Sequence, residues 1–409
     1  MRKITVAAVA GLAATAMVLA GCSSSDKPSA PETGNLRVWL VGPDTPQAAR
    51  DYLKQTFESQ NRGSTLTIEE QQWTGLVDLL TTSLSSNSSP DIVEVGNTQA
   101  PAFTSAGAFL DLTADFPTSN LLPGFVDIGT FDGKFYAAPY YAGARVVFYN
   151  KDMFAAAGLS VPKTLDEYVT DAGKLSAAGV DGLYWPGQDW YNALPFIWEN
   201  GGEIAVEKDG KWDAQLSSAN SIKGIQQIAS ITTKSVVADK NGNEANVWVP
   251  FNEGKAAMFS APTWAFGSIT LDKSKFGYFN LPGKSGGVAK VFAGGSNIAI
   301  SAKSAHADLA KKALKIILSD DYQKILAGNG MVPAITSLSS QVTAATPEMG
   351  QLIAATAGSS KLTPASPNWA DVEAAGILTD LFAQVANGGD IAALTATADQ
   401  KIEEILNKS

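Results

Sequence analysis

Among side chains able to do acid–base or nucleophilic chemistry, the 409-residue chain has one histidine, His306, and one cysteine, Cys22. His306 opens a segment with the apolar spacing of a surface helix, which makes it a solvated residue and leaves neither a Ser-His-Asp relay nor a histidine-rich metal site. No Gly-x-Ser-x-Gly elbow is present. Gly283-Lys284-Ser285 looks like the end of a phosphate loop, but Tyr278 stands where the earlier glycine is required, so the segment reads as a turn. Asp239, Asn241 and Asn243 have the spacing of calcium ligands. With Glu244 and Pro250 in place of the required Gly and Glu, they read as a surface loop. No metal or cofactor is expected. Glycoside hydrolysis needs only two carboxylates, for which Glu94, Asp189 and Glu199 are candidates, but no local motif singles out a pair.

What the chain does offer is aromatic surface. It has nine tryptophans and ten tyrosines, many on loops punctuated by Pro and Gly. A sugar ring has an apolar C–H face and a rim of hydroxyls, so its site needs flat aromatic faces beside planar polar groups. Trp185, Trp264 and Trp369 read as site residues on this ground, whereas Trp73, Trp198, Trp212 and Trp248 read as core.

These residues need elements to position them. Residues 36–41 are apolar on both faces around Arg37, as in a strand of a buried parallel sheet, and residues 42–46 end it, with Thr45 as a helix N-cap and Pro46 at the first helical position. Ala49, Tyr52, Leu53 and Phe57 have helical spacing. A strand at Leu66 and Ile68, a helix with Leu76, Leu79, Leu80 and Leu84, and a strand at Ile92, Val93 and Val95 follow. The alternation predicts an α/β body with a largely parallel sheet, whose ligands bind at the carboxyl ends of the strands. Asp44 leaves one such end, and Asn97 and Thr98 leave another.

The stretch 138–154 begins with Pro139 and two tyrosines, passes Ala142-Gly143-Ala144, and continues apolar through Phe148 to Asn150-Lys151. It predicts a strand that leaves one body and enters another. Residues 291–300 repeat the design around Gly294-Gly295-Ser296, and Gly328-Asn329-Gly330 offers a helix C-cap and a third crossing. Two terminal helices, about Leu378 to Val385 and Ile391 to Leu406, close the chain.

The first residues carry Arg2 and Lys3, an apolar run, and Leu19-Ala20-Gly21-Cys22, the arrangement of a secretory signal. Removing residues 1–21 takes two basic and no acidic residues, moving the formal charge from −10 to about −12 and arguing against nucleic acid. Residues 22–34 read as a flexible tether. The roughly 375 residues that remain exceed one core, so two domains are expected, with no disulfide to help them.

Leu-Ala-Gly-Cys resembles a bacterial lipobox, which implies cleavage before Cys22 and its lipidation. The chain further resembles the extracellular solute-binding proteins that serve ABC carbohydrate importers, the group of maltose-binding protein. The matching residues include Pro90-Asp91-Ile92-Val93 leading to Asn97-Thr98, Ala106-Gly107-Ala108-Phe109-Leu110, Gly133-Lys134-Phe135-Tyr136, and Val147-Phe148-Tyr149-Asn150-Lys151. Asn200-Gly201-Gly202, Gly254-Lys255-Ala256-Ala257-Met258 and Gly294-Gly295 continue the series in family order.

The resemblance implies an α/β, two-lobed periplasmic-binding-protein-like fold, with a hinge of two or three crossings and a cleft between lobes. It divides the chain into one lobe of residues 35–142 plus 296–330 and another of 143–295 plus 331–409. It implies a monomer, lipid-anchored on the extracytoplasmic face of the cell membrane, that binds a mono- or oligosaccharide without catalysis and delivers it to permease subunits. A surface glycan-active hydrolase is the alternative reading, and a scaffold lipoprotein a third. Carried over by position, Tyr140 and Arg145 flank the first crossing, Trp264 is a stacking floor, and Gly294, Gly295 and Ser296 supply hydrogen bonds at the second. Asp44, Glu94, Asn97 and Thr98 become polar contacts, and Trp185 and Trp369 further aromatic ones. Ser296 stands where several relatives carry tryptophan.

Overall fold

The computed structural model describes residues 33–177, 180–233, 239–243, 246–342, 347–357 and 359–408. Cys22 lies outside them, as does the side chain of Trp264.

Three strands, Asn35–Val41, Thr65–Gln71 and Ile92–Gly96, run parallel, with Asn35–Val41 between the other two. Helices Gln47–Gln60 and Leu76–Ser85 connect them, each burying one stripe: Ala49, Leu53 and Phe57 on the first, Leu76, Leu80 and Leu84 on the second. Leu79 is exposed, one position off that stripe. Thr45 does not cap the first helix. Pro46 is the N-cap residue, and the Thr45 hydroxyl instead meets the Tyr140 hydroxyl at 2.8 Å.

The sheet is completed by Gly294–Ile300, Ala137–Gly143 and Val332–Pro333, all paired antiparallel. It is therefore mixed rather than largely parallel. The added strands return from elsewhere in the chain, so no crossover helix forces them into the parallel sense.

A second sheet has Arg145–Asn150 at its centre, flanked antiparallel by Met258–Pro262 and Phe276–Phe279. The chain thus leaves the first sheet after Gly143 and joins the second at Arg145, with Ala144 between, as the stretch 138–154 predicts. Val291–Phe292 pairs with Ser360–Lys361, and after Ala293 the strand Gly294–Ile300 enters the first sheet. Gly295 is required at this crossing: its φ is +154°, and a Cβ there would lie 2.3 Å from the Tyr141 carbonyl oxygen. Past Gly328-Asn329-Gly330 the chain stays with the first sheet. Val332–Pro333 pairs with Ala137–Gly143, and Met331, Ala334, Ile335 and Leu338 still pack in the core of the first sheet.

Each sheet has its own core. One combines Leu36, Leu53, Phe57, Tyr140, Leu314 and Tyr322; the other combines Trp185, Trp190, Phe196, Trp198, Trp369, Phe382 and Ile402. A smaller cluster joins Ala142, Ala144, Phe259, Ala293 and Val332 around the crossings.

Candidate functional site

Between the sheets lies a cavity of about 580 Å³. Its first wall is built from three loops at the carboxyl ends of the parallel strands, carrying Asp44, then Trp73 and Thr74, then Asn97, Thr98 and Gln99. All three point to one edge because parallel strands end together. Trp73 donates its indole N–H to Asp44 Oδ2 at 2.8 Å. Its ring crosses two glycines: a Cβ on Gly42 would lie 3.3 Å from Trp73 Nε1, and one on Gly96 3.5 Å from its Cζ3. The indole is thus seated on backbone and oriented by a carboxylate, while 38% of its surface stays exposed.

The second wall is aromatic. Asp189 caps the helix Trp190–Glu199 by accepting from the Asn192 backbone N–H, which fixes Trp190 and Tyr191 in the first turn. Tyr191 stacks on Phe292 with centroids 4.8 Å apart, and Trp190 packs against both. Arg145, only 5% exposed, holds its guanidinium 5.3 Å from the Tyr191 ring centroid. Its Nη1 donates to Asn192 Oδ1 at 3.3 Å, an oxygen that also accepts from the Ser260 hydroxyl. Trp248 and Asn246 complete this side, and Gly294, Gly295 and Ser296 join the walls.

Of the residues predicted from sequence, Asp44, Asn97, Thr98, Arg145, Gly294, Gly295 and Ser296 line the cavity together. Asn97 turns its amide N–H to the Ala293 carbonyl at 2.8 Å, so part of its hydrogen bonding is used at the crossing.

Glu94 lies outside the lining, completely buried, where it accepts from the Val41 backbone N–H at 2.8 Å and the Tyr141 hydroxyl at 3.0 Å. Burial pushes its carboxyl up to about 7, and the Asp44 charge adds to that; the Val41 N–H, Ser296 and Tyr141 oppose it by favouring the anion. Tyr141 and Ser296 both line the cavity, so Glu94 supports the site from beneath.

Tyr140 is a core residue rather than a wall. It is fully buried, and its hydroxyl meets that of Tyr322 at 2.6 Å and that of Thr45 at 2.8 Å. Trp185 and Trp369 are likewise absent from the lining and packed in the second core, at 4% and 0% exposure. The backbone of Trp264 belongs to the 3-10 helix Thr263–Ser268, of which Ala265 is a lining residue.

Trp73, Tyr141, Trp190, Tyr191, Trp248 and Phe292 are aromatic residues lining the cavity, and the sequence assigns Trp73 and Trp248 to the core. A signal for Trp73 was available: residues 72–75 leave the end of the second parallel strand, a third loop at the edge that presents Asp44 and Asn97. Among the three carboxylates considered for hydrolysis, only Asp189 reaches the cavity. Glu199 accepts from the backbone N–H groups of Lys284 and Lys290.

Residues 42–324 match the bacterial extracellular solute-binding protein family. A diacetylchitobiose binding protein of Streptomyces coelicolor is 33% identical over 402 residues, covering 91% of each chain. A multiple sugar-binding protein of Streptococcus mutans is 27% identical over 77% of this chain and 78% of its own. Among solved structures, the GacH receptor of Streptomyces glaucescens superposes with a TM-score of 0.82 at 20% identity, over 92% of this chain and 99% of that one. The maltose-bound MalE3 of T. maritima gives 0.76 at 22% identity, over 91% and 100%. These last two share the two-lobed fold. Together with the family match and the 33% identity, they leave one conclusion: the chain belongs to the bacterial extracellular solute-binding protein family.

Proposed function

We propose that the protein binds a mono- or oligosaccharide in this cavity, without turning it over, and delivers it to the permease subunits of an ABC importer. The observation that carries the reading is the pairing of two unlike walls across one cavity. Trp73 on its glycine seat and the Trp190, Tyr191 and Phe292 layer offer faces to the apolar side of sugar rings. Asp44, Asn97, Gln99, Arg145 and Gln188 offer planar polar groups to the hydroxyl rim. A volume of about 580 Å³ lies within the roughly 300 to 1,000 Å³ of sites that enclose small ligands. Given the relative from Streptomyces coelicolor, a disaccharide of N-acetylated rings is the first ligand to try.

Because the two walls belong to different lobes, a ligand touching both favours the arrangement that brings them together. Lipidation at Cys22 would keep the monomer on the extracytoplasmic face of the membrane, with residues 22–34 as tether.

Calorimetric titration with diacetylchitobiose and a series of mono- to tetrasaccharides, with product analysis of the same samples, tests the reading. Saturable heat with intact sugar is expected. Released sugar would turn it to the hydrolase, and absence of heat with every sugar to the scaffold. Metabolic labelling with a fatty-acid analogue, lost on Cys22→Ser, tests the anchor.

A further inference from the structure

Thr98 lines the cavity, yet its hydroxyl is directed elsewhere. It donates to Glu373 Oε2 at 2.9 Å. Glu373 lies on the helix Trp369–Ala374, whose Trp369 and Val372 belong to the core of the second sheet. Its other carboxylate oxygen accepts from the Trp369 indole N–H at 2.9 Å. The residue keeps some exposed surface, but its carboxyl is enclosed. One carboxylate therefore has both oxygens engaged, by one donor from each lobe, and it is not itself part of the cavity lining.

The loop carrying Thr98 is also tied at Asn97, whose backbone N–H donates to the Gly295 carbonyl at 3.1 Å and whose side chain donates to that of Ala293. Both of those ties end at the crossing, on Ala293 and Gly295, whereas the bond to Glu373 reaches the body of the far lobe. Burial pushes this carboxyl up to about 7, against the Thr98 and Trp369 bonds that favour its anion, and removing one partner leaves an enclosed acceptor unsatisfied. A bond of this kind resists rotation of the loop against the far lobe.

We infer that Glu373 is a positioning residue for the ligand site: by holding Thr98 and Trp369 at once, it fixes residues 97–99 and their distance from the far wall before any ligand is present. The inference rests on the sugar-site reading of the cavity. It explains why a polar loop residue at the site has its hydroxyl turned away. It also means that part of the ordering cost of binding is met within the ligand-free protein.

The test uses Thr98→Val, Glu373→Ala and two conservative changes, Thr98→Ser and Glu373→Gln. The amide of Gln can accept from Trp369 and donate to Thr98, so Glu373→Gln retains the link. Amide hydrogen exchange of residues 97–105 is measured without sugar, and affinity for diacetylchitobiose by calorimetry. Thr98→Val and Glu373→Ala should each speed exchange and weaken binding about tenfold, while both conservative variants stay within about twofold of the parent. If Glu373→Ala does not fold, Thr98→Val and its Ser counterpart carry the comparison. Unchanged exchange in Thr98→Val overturns the inference. So does weaker binding in Thr98→Val with parental exchange, or with parental binding in a folded Glu373→Ala, since either places the Thr98 hydroxyl on the ligand. If no sugar binds the parent, the sugar reading fails while the exchange result still decides the positioning.

Discussion

Across the cavity, the wall carried by loops 42–46, 72–75 and 97–99 and the wall carried by residues 188–191 with Phe292 differ in how their side chains are held. On the first, Trp73 rests on glycine backbone and is 38% exposed; on the second, Trp190 is 6% exposed and packed into a core. On the proposed reading, truncating Trp73 removes ligand contact and little else, whereas a change at Trp190 also opens a packed layer.

The largest expected effect concerns the support beneath the first wall. The folded-state value of Glu94, about 7, is raised above the ordinary 4.5, so between those values the folded chain binds more protons than the unfolded one. Stability from this group therefore falls as pH rises from about 4.5 to 7, by roughly 3 kcal/mol in all. Glu94→Gln should melt higher than the parent at pH 8, with the gap closing toward pH 5. A gap of the same size at both pH values would mean that the carboxyl is not a buried acid.

Next comes Arg145→Ala on the second wall. It removes the cation beside Tyr191 and the donor to Asn192, and should weaken sugar binding about 100-fold, near 2.7 kcal/mol, while lowering the melting temperature. Trp73→Ala should cost about tenfold in affinity, near 1.4 kcal/mol, with the melting temperature unchanged. If Trp73→Ala destabilised the fold as much as Arg145→Ala, the distinction between the walls would be lost.

The smallest effect is a control against the sequence reading. Trp185→Phe should leave affinity within twofold, because that indole packs against Phe196 in the second core and does not line the cavity. A tenfold loss in calorimetry would return Trp185 to the site.

Periodicity located the helices with Leu53 and Phe57, and Leu80 and Leu84, because a buried stripe writes a repeat into the chain. The change of sheet within 138–154 and the Gly294-Gly295 crossing were also legible, since a close backbone approach leaves glycine as its mark. The partition of tryptophans was not. Trp185 and Trp369 lie near Pro and Gly like Trp73, but a neighbouring turn says nothing of which side of it faces a core.

The alternation of strands and helices, the loops at the strand ends, the two glycine-marked crossings and the family are all written in the chain. All of these depend on local spacing or on residues adjacent in the chain. That Tyr141 rather than Tyr140 meets the cavity, that Glu94 lies below it, and that the Thr98 hydroxyl belongs to Glu373 emerges from long-range packing alone. Those outcomes depend on how strands and loops pack on one another, and on contacts between residues as far apart as 98 and 373, which no local pattern encodes.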